Sequence, residues 1–103
     1  MEKLEKDIQS LILTDLRSMG KYCICFKIIK TSDNGIGDIF FSTKKTGGVF
    51  VETKRPKGIA EKLQKNKAEK LNNCGSKAFF CYSWNEWIEL KNKLGLNTRN
   101  LSL

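Results

Sequence analysis

An acid opens one apolar run, and an acid and a lysine close the next: Gly35-Ile36-Gly37-Asp38-Ile39-Phe40-Phe41 is followed by Val49-Phe50-Val51-Glu52-Thr53-Lys54. Read as strands, these runs send successive side chains to opposite faces, so Glu52 and Lys54 share a face and Thr53 points away. If the two strands form a hairpin through Ser42 to Gly48, the register can bring Asp38 beside Glu52. Two carboxylates make a site for a hard cation such as magnesium, which prefers oxygen ligands, and Lys54 would border the ion and its water. That is the donor set that metal-assisted hydrolysis of a phosphodiester requires. The ordinary alternative is a set of solvated charges at strand ends. Against it, Glu52 ends an apolar run, where an unpaired carboxylate is costly unless a cation compensates it.

The overall charge points toward a phosphate-bearing partner. Lys and Arg number 19 against 11 Asp and Glu, a formal net charge of +8 with a pI near 9.5. Such an excess favours nucleic acid through release of condensed counterions. A ribosomal or membrane-surface protein can be as basic, but a pure binder has no use for carboxylates facing DNA. At 103 residues, the chain fits one domain spanning 1–103 with a single core. No apolar run approaches the ~20 residues that span a bilayer, and Met1-Glu2-Lys3-Leu4-Glu5 lacks the apolar stretch of a signal peptide. The expected setting is the cytoplasm, with no membrane partner. Cys23, Cys25, Cys74 and Cys81 lack the paired Cys-x-x-Cys spacing of structural zinc sites and read as buried thiols acting as small hydrophobes. Histidine is absent from the chain, which removes Ser-His and Cys-His nucleophiles and histidine-ligated nuclease metals.

These residues need a scaffold, and the sequence patterns supply one. Leu4, Ile8, Leu11, Ile12 and Leu16 recur at helical spacing and predict a helix from Lys3 to Met19, ended by Gly20. A first strand follows from Tyr22, in Tyr-Cys-Ile-Cys-Phe-Lys-Ile-Ile, then a polar loop from Thr31 to Gly37. Strands at Asp38–Ser42 and Gly48–Lys54 are joined by Thr43-Lys44-Lys45-Thr46-Gly47. Pro56 stops the third strand. A second helix, about Ile59 to Asn73, turns Ala60, Leu63, Ala68 and Leu71 inward. Lys77 to Tyr82 forms a fourth strand, and Ser83 caps a last helix through Leu94. Trp84, Trp87, Ile88 and Leu94 belong to the core or to a partner surface, and Gly95 to Leu103 reads as a loose tail or exchanged arm. The order αβββαβα predicts an antiparallel meander of three strands, with the fourth reached by a right-handed crossover and parallel to the third.

With these elements in place, the chain resembles the PD-(D/E)xK nuclease superfamily. Within it, the chain resembles the VRR-NUC domains, especially the small stand-alone forms carried by phages and viruses. The resemblance runs from Glu5 to about Trp87 and rests on Gly37-Asp38-Ile39, on Glu52-Thr53-Lys54 followed by Pro56 and Gly58, on Gln64, and on an acid with Gln9 in the first helix. It implies an α/β fold of the restriction-endonuclease-like kind, an αβββαβ core with a mixed four-stranded sheet flanked by helices. It further implies that Asp38 and Glu52 ligate magnesium or manganese, that Lys54 holds or polarises the attacking water, and that Gln64 positions water, metal or phosphate. The family's first-helix acid, a further metal ligand, maps onto Glu5, with Glu2 as a substitute. One departure is Gly37, where a proline often precedes the acid.

The expected function is metal-dependent, structure-selective endonucleolytic cleavage of DNA. By resemblance alone the substrate is branched, such as a four-way junction, and the enzyme a homodimer in which two subunits cut opposing strands. Lys27, Lys57, Lys62 and Lys65 are the candidate DNA contacts. The rivals are a non-catalytic nucleic-acid-binding module on the same fold, and an exonuclease or restriction-type nuclease acting on linear DNA.

Overall fold

The computed structural model describes residues 5–29, 37–54 and 62–96, with the backbone alone for 5 and 6. Within them the order is α1 (Glu5–Arg17), a single 3-10 turn (Gly20–Tyr22), β1 (Cys23–Lys27), β2 (Ile39–Thr43), β3 (Gly47–Thr53), α2 (Lys62–Asn73), β4 (Lys77–Cys81) and α3 (Trp84–Leu94). The four strands form one sheet in the order β1-β2-β3-β4. β1, β2 and β3 are antiparallel neighbours, and β4 runs parallel to β3. The sheet is therefore mixed, in an α/β arrangement with three helices.

Alternation along β3 divides the work of its two faces. Val49, Val51 and Thr53 are fully buried, as are Ile39 and Phe41 across the ladder on β2. They meet Ile8, Ile12 and Leu16 of α1 and Trp87 of α3, whose indole stands edge-on to the Phe41 ring at 5.8 Å. Side chains buried this completely contribute about 1.5–3 kcal/mol each, so this layer carries most of the fold's stability. The other face holds Phe40, Phe50 and Glu52, with α2 lying against β4 on that side. The site therefore opens away from the core.

α1 and α3 are also joined by a polar contact. Trp87 Nε1 donates to Asp15 Oδ2 at 2.8 Å, and Lys91 Nζ donates to the same oxygen at 2.7 Å. Lys91 is itself buried, so its charge is viable there because Asp15 stands opposite. α3 starts at Ser83, whose hydroxyl accepts from Glu86 N, and ends at Gly95 with φ of 75°. The β2–β3 turn is held by Thr43 Oγ1, which accepts from Thr46 N at 3.1 Å.

Several expectations give way here. Leu11 and Leu63 are exposed, while Leu13 and Met19 enter the core. Only Cys81 is a fully buried thiol; Cys74 is exposed, and all four cysteines are free. The C-terminal apolar set is not spare surface, because Trp87 and Leu96 are fully buried and Trp84, Ile88 and Leu94 pack against the core. α3 is clasped between the sheet and α1, which uses more of its circumference than one contact would. Apolar side chains are left outside on β1 instead, an edge strand with Ile24 64% and Phe26 49% exposed. Among the described residues, no helix is long and apolar enough to cross a membrane. Leu4, Ala60 and the segment after Leu96 lie outside the described residues.

Candidate active site

The site is built where β2 begins and β3 ends. The β2–β3 ladder pairs Ile39 with Val51, so one further step sets Asp38 across from Glu52. Asp38 N donates to Val51 O at 2.9 Å, and Ile28 N donates to Asp38 O at 2.7 Å, which ties the acid's backbone to strand β3 and to the end of β1. Lys54 N donates to Cys81 O at 2.9 Å, so β4 steadies the other end of the motif.

Glu52 and Lys54 fall on one face of β3, two residues apart, with Lys54 Nζ 3.9 Å from Glu52 Oε1. Gln64 on α2 donates its Nε2 to the same Glu52 oxygen. Both charged side chains are largely withdrawn from solvent, at 12% exposure for Glu52 and 14% for Lys54. Glu52 lines a recess together with Gln64, Phe50, Phe80, Gly37, Ala68 and Leu71. In such surroundings a carboxylate needs a cation and hydrogen-bond donors, and Glu52 has both.

Asp38 is held from behind. Its Oδ2 accepts from Thr53 N at 2.8 Å and from Thr53 Oγ1 at 2.9 Å. Thr53 is fully buried on the core side of β3, so the Asp38 carboxylate reaches round the end of the ladder to it. Gly37 makes this path possible. Its φ is +113°, and a Cβ there would stand 3.3 Å from Val51 O. Proline is fixed near φ −65°, so glycine is not a stand-in for proline at this position but a different backbone route.

The remaining expected residues are placed more simply. Glu5 is the first residue of α1, and its side chain lies outside the described residues, as do Glu2 and Lys57. Gln9 is half-buried on α1. Lys62 and Lys65 are exposed on α2, beside Gln64, and Lys27 is exposed at the end of β1. Sequence reasoning missed Thr53 and the need for Gly37. The signal for Thr53 was a threonine at the inward position of a strand whose other inward positions are valines.

Magnesium or manganese, as the resemblance implies, can be tested against this donor set. Among the described residues, no group of three or more His, Cys, Asp or Glu gathers in one place. Magnesium, however, is commonly bound by one or two carboxylates and keeps several waters. Asp38 and Glu52, both oxygen donors flanking the end of one ladder, fit that habit. No family model matches the chain, and no curated protein matches it.

Proposed function

We propose that the chain is a metal-dependent, structure-selective DNA endonuclease with a restriction-endonuclease-like fold, a VRR-NUC-type member of the PD-(D/E)xK superfamily. One observation carries the reading: Lys54 and Gln64 converge on one oxygen of the largely buried Glu52 at the end of β3, with Asp38 anchored across the ladder end. A structural ion pair needs no amide from a separate helix and no second acid fixed alongside.

In this reading Asp38 and Glu52 hold magnesium or manganese, with the Glu5 carboxyl as a further ligand. When bound, the ion withdraws charge from the phosphate and makes water a stronger nucleophile. The protein's own groups do the rest. Lys54 keeps the two acids from repelling phosphate unchecked and offers N–H donors to a phosphate oxygen as charge builds there. Gln64 holds Glu52 in one rotamer. The low exposure of the recess strengthens each of these interactions relative to bulk water.

The net charge of +8 supplies affinity for the duplex, with Lys27, Lys57, Lys62 and Lys65 as contacts to phosphates. Branched DNA is the proposed substrate class, and a homodimer the proposed active form, since one chain carries one site and two cuts need two. Trp87 and Leu96 being consumed by the core, Ile24 and Phe26 on β1 are among the exposed apolar side chains, with Leu11, Tyr22, Ile29 and Leu63, that such a contact could use.

The test is cleavage of linear duplex, single-stranded, flapped and four-way DNA of matched sequence, with magnesium, with manganese and with EDTA. Ion-dependent cutting that favours the junction supports the proposal. Equal cutting of linear and branched DNA removes the structure selectivity. Salt-sensitive binding with no cleavage under any ion leaves a non-catalytic binding module on this fold.

A further inference from the structure

We propose that Thr53, the middle residue of Glu52-Thr53-Lys54, is a positioning residue that sets the Asp38 carboxylate for metal; this role rests on the metal-dependent reading above. The residue faces away from the recess and is fully buried, where Val49 and Val51 fill the equivalent inward positions of the same strand. A threonine hydroxyl in such a place is costly unless bonded, so its presence needs a partner rather than a volume. The partner is Asp38 Oδ2, reached by both the hydroxyl at 2.9 Å and the backbone N–H at 2.8 Å.

Two donors from one residue fix one carboxylate oxygen and, with it, the plane of the group. Among the described residues, no hydrogen bond is made to Asp38 Oδ1, the oxygen that remains for an ion. Thr53 itself is locked in the sheet, paired with Cys81 of β4. The outward residues of β3 thus carry Glu52 and Lys54 while the inward residue between them holds the acid from the neighbouring strand, and all three groups are referred to one stretch of backbone. Groups that orient a metal-binding side chain without touching the metal commonly change affinity by about 10- to 100-fold when removed.

The test compares the full chain with Thr53→Val, which keeps the shape and the backbone donor but deletes the hydroxyl, and with Thr53→Ser, which restores it. Titration calorimetry with manganese alone, then magnesium alone, reads affinity without substrate, and urea unfolding shows that each variant is folded. Thr53→Val is expected to bind manganese about 10-fold or more weakly and to recover turnover as manganese is raised, while Thr53→Ser stays within about threefold of the natural chain. Thr53→Ala serves if Thr53→Val does not fold, with the same expectation. Unchanged affinity in the variant lacking the hydroxyl, beside tight binding by the natural chain, overturns the role of Thr53 and leaves the metal site standing. A natural chain that binds neither ion overturns the metal reading and this role with it.

Discussion

Glu52→Gln separates what Glu52 does for the fold from what it does for chemistry. The substitution keeps an oxygen able to accept from Gln64 Nε2 but removes the charge 3.9 Å from Lys54 Nζ. At that distance two unit charges attract by about 4 kcal/mol at an effective dielectric of 20 and by about 1 kcal/mol in water. Both side chains are mostly but not wholly withdrawn from solvent, and desolvation offsets part of the attraction. A net loss of about 1–2 kcal/mol is expected, or roughly 5–15 °C in Tm for a domain of this size. Metal affinity should fall as well, since an amide oxygen replaces a carboxylate. Cleavage should drop about 10³-fold, equivalent to about 4 kcal/mol of transition-state stabilisation. DNA binding should survive or tighten, because a negative charge facing phosphate has gone. The assays are thermal unfolding, manganese calorimetry, a filter-binding isotherm and single-turnover cutting of a labelled junction. A variant cutting within about threefold of the natural rate would refute the assignment, even if its stability fell as stated.

Lys54→Met retains the apolar stem and deletes the charge, so manganese should still bind by calorimetry while turnover falls about 100-fold or more; full activity returns Lys54 to a purely structural role. Asp15→Ala leaves the Lys91 ammonium and the Trp87 indole N–H without their acceptor, and urea unfolding should show a loss of about 2–4 kcal/mol, against roughly half that for Asp15→Asn. Equal losses in the two variants would mean that the acceptor's charge is irrelevant. Burial pushes the Cys81 thiol up to about 11 from an ordinary 9.0, with Glu86 adding to the rise. The unfolded chain therefore ionises this thiol first, so its contribution to stability is intact below pH 9 and is lost between pH 9 and about 11. Unfolding free energies measured across that window should fall less steeply in Cys81→Ala, and an unchanged slope would contradict the burial of the thiol.

The strands were legible because each writes its two faces directly into the sequence. Val49, Val51 and Thr53 alternate with Phe50 and Glu52, and the structure buries the first set completely. The turn at Thr43 to Gly47 and the Ser83 cap were equally readable, since local backbone needs fix those residue types. Helical faces were less so. Leu11 and Leu13 are equally apolar and two positions apart, and only the sheet beneath α1 decides that Leu13 goes inside. The same holds for α3, whose apolar circumference suggested a spare face until the Asp15 contact and the packing of α1 against it used that face.

The candidate site divides along the same line. Spacing within one strand puts Glu52 and Lys54 together, because the period of two is a covalent property of extended chain. That Gln64 closes on Glu52 depends on how α2 lies over β4, and that Asp38 is gripped by Thr53 depends on where the β2–β3 ladder stops. Two residues more of regular pairing would set Gly37 across from Thr53, give Thr53 N a main-chain acceptor and leave the Asp38 side chain without that donor. Gly37, at φ +113°, lies close against the β3 backbone just before the ladder begins. A side chain at 37 would meet both a disfavoured φ and the Val51 carbonyl, so the chain would be driven to another path and Asp38 with it. The acid's placement therefore depends on a glycine that bears no chemistry and on a threonine that faces the wrong way for any.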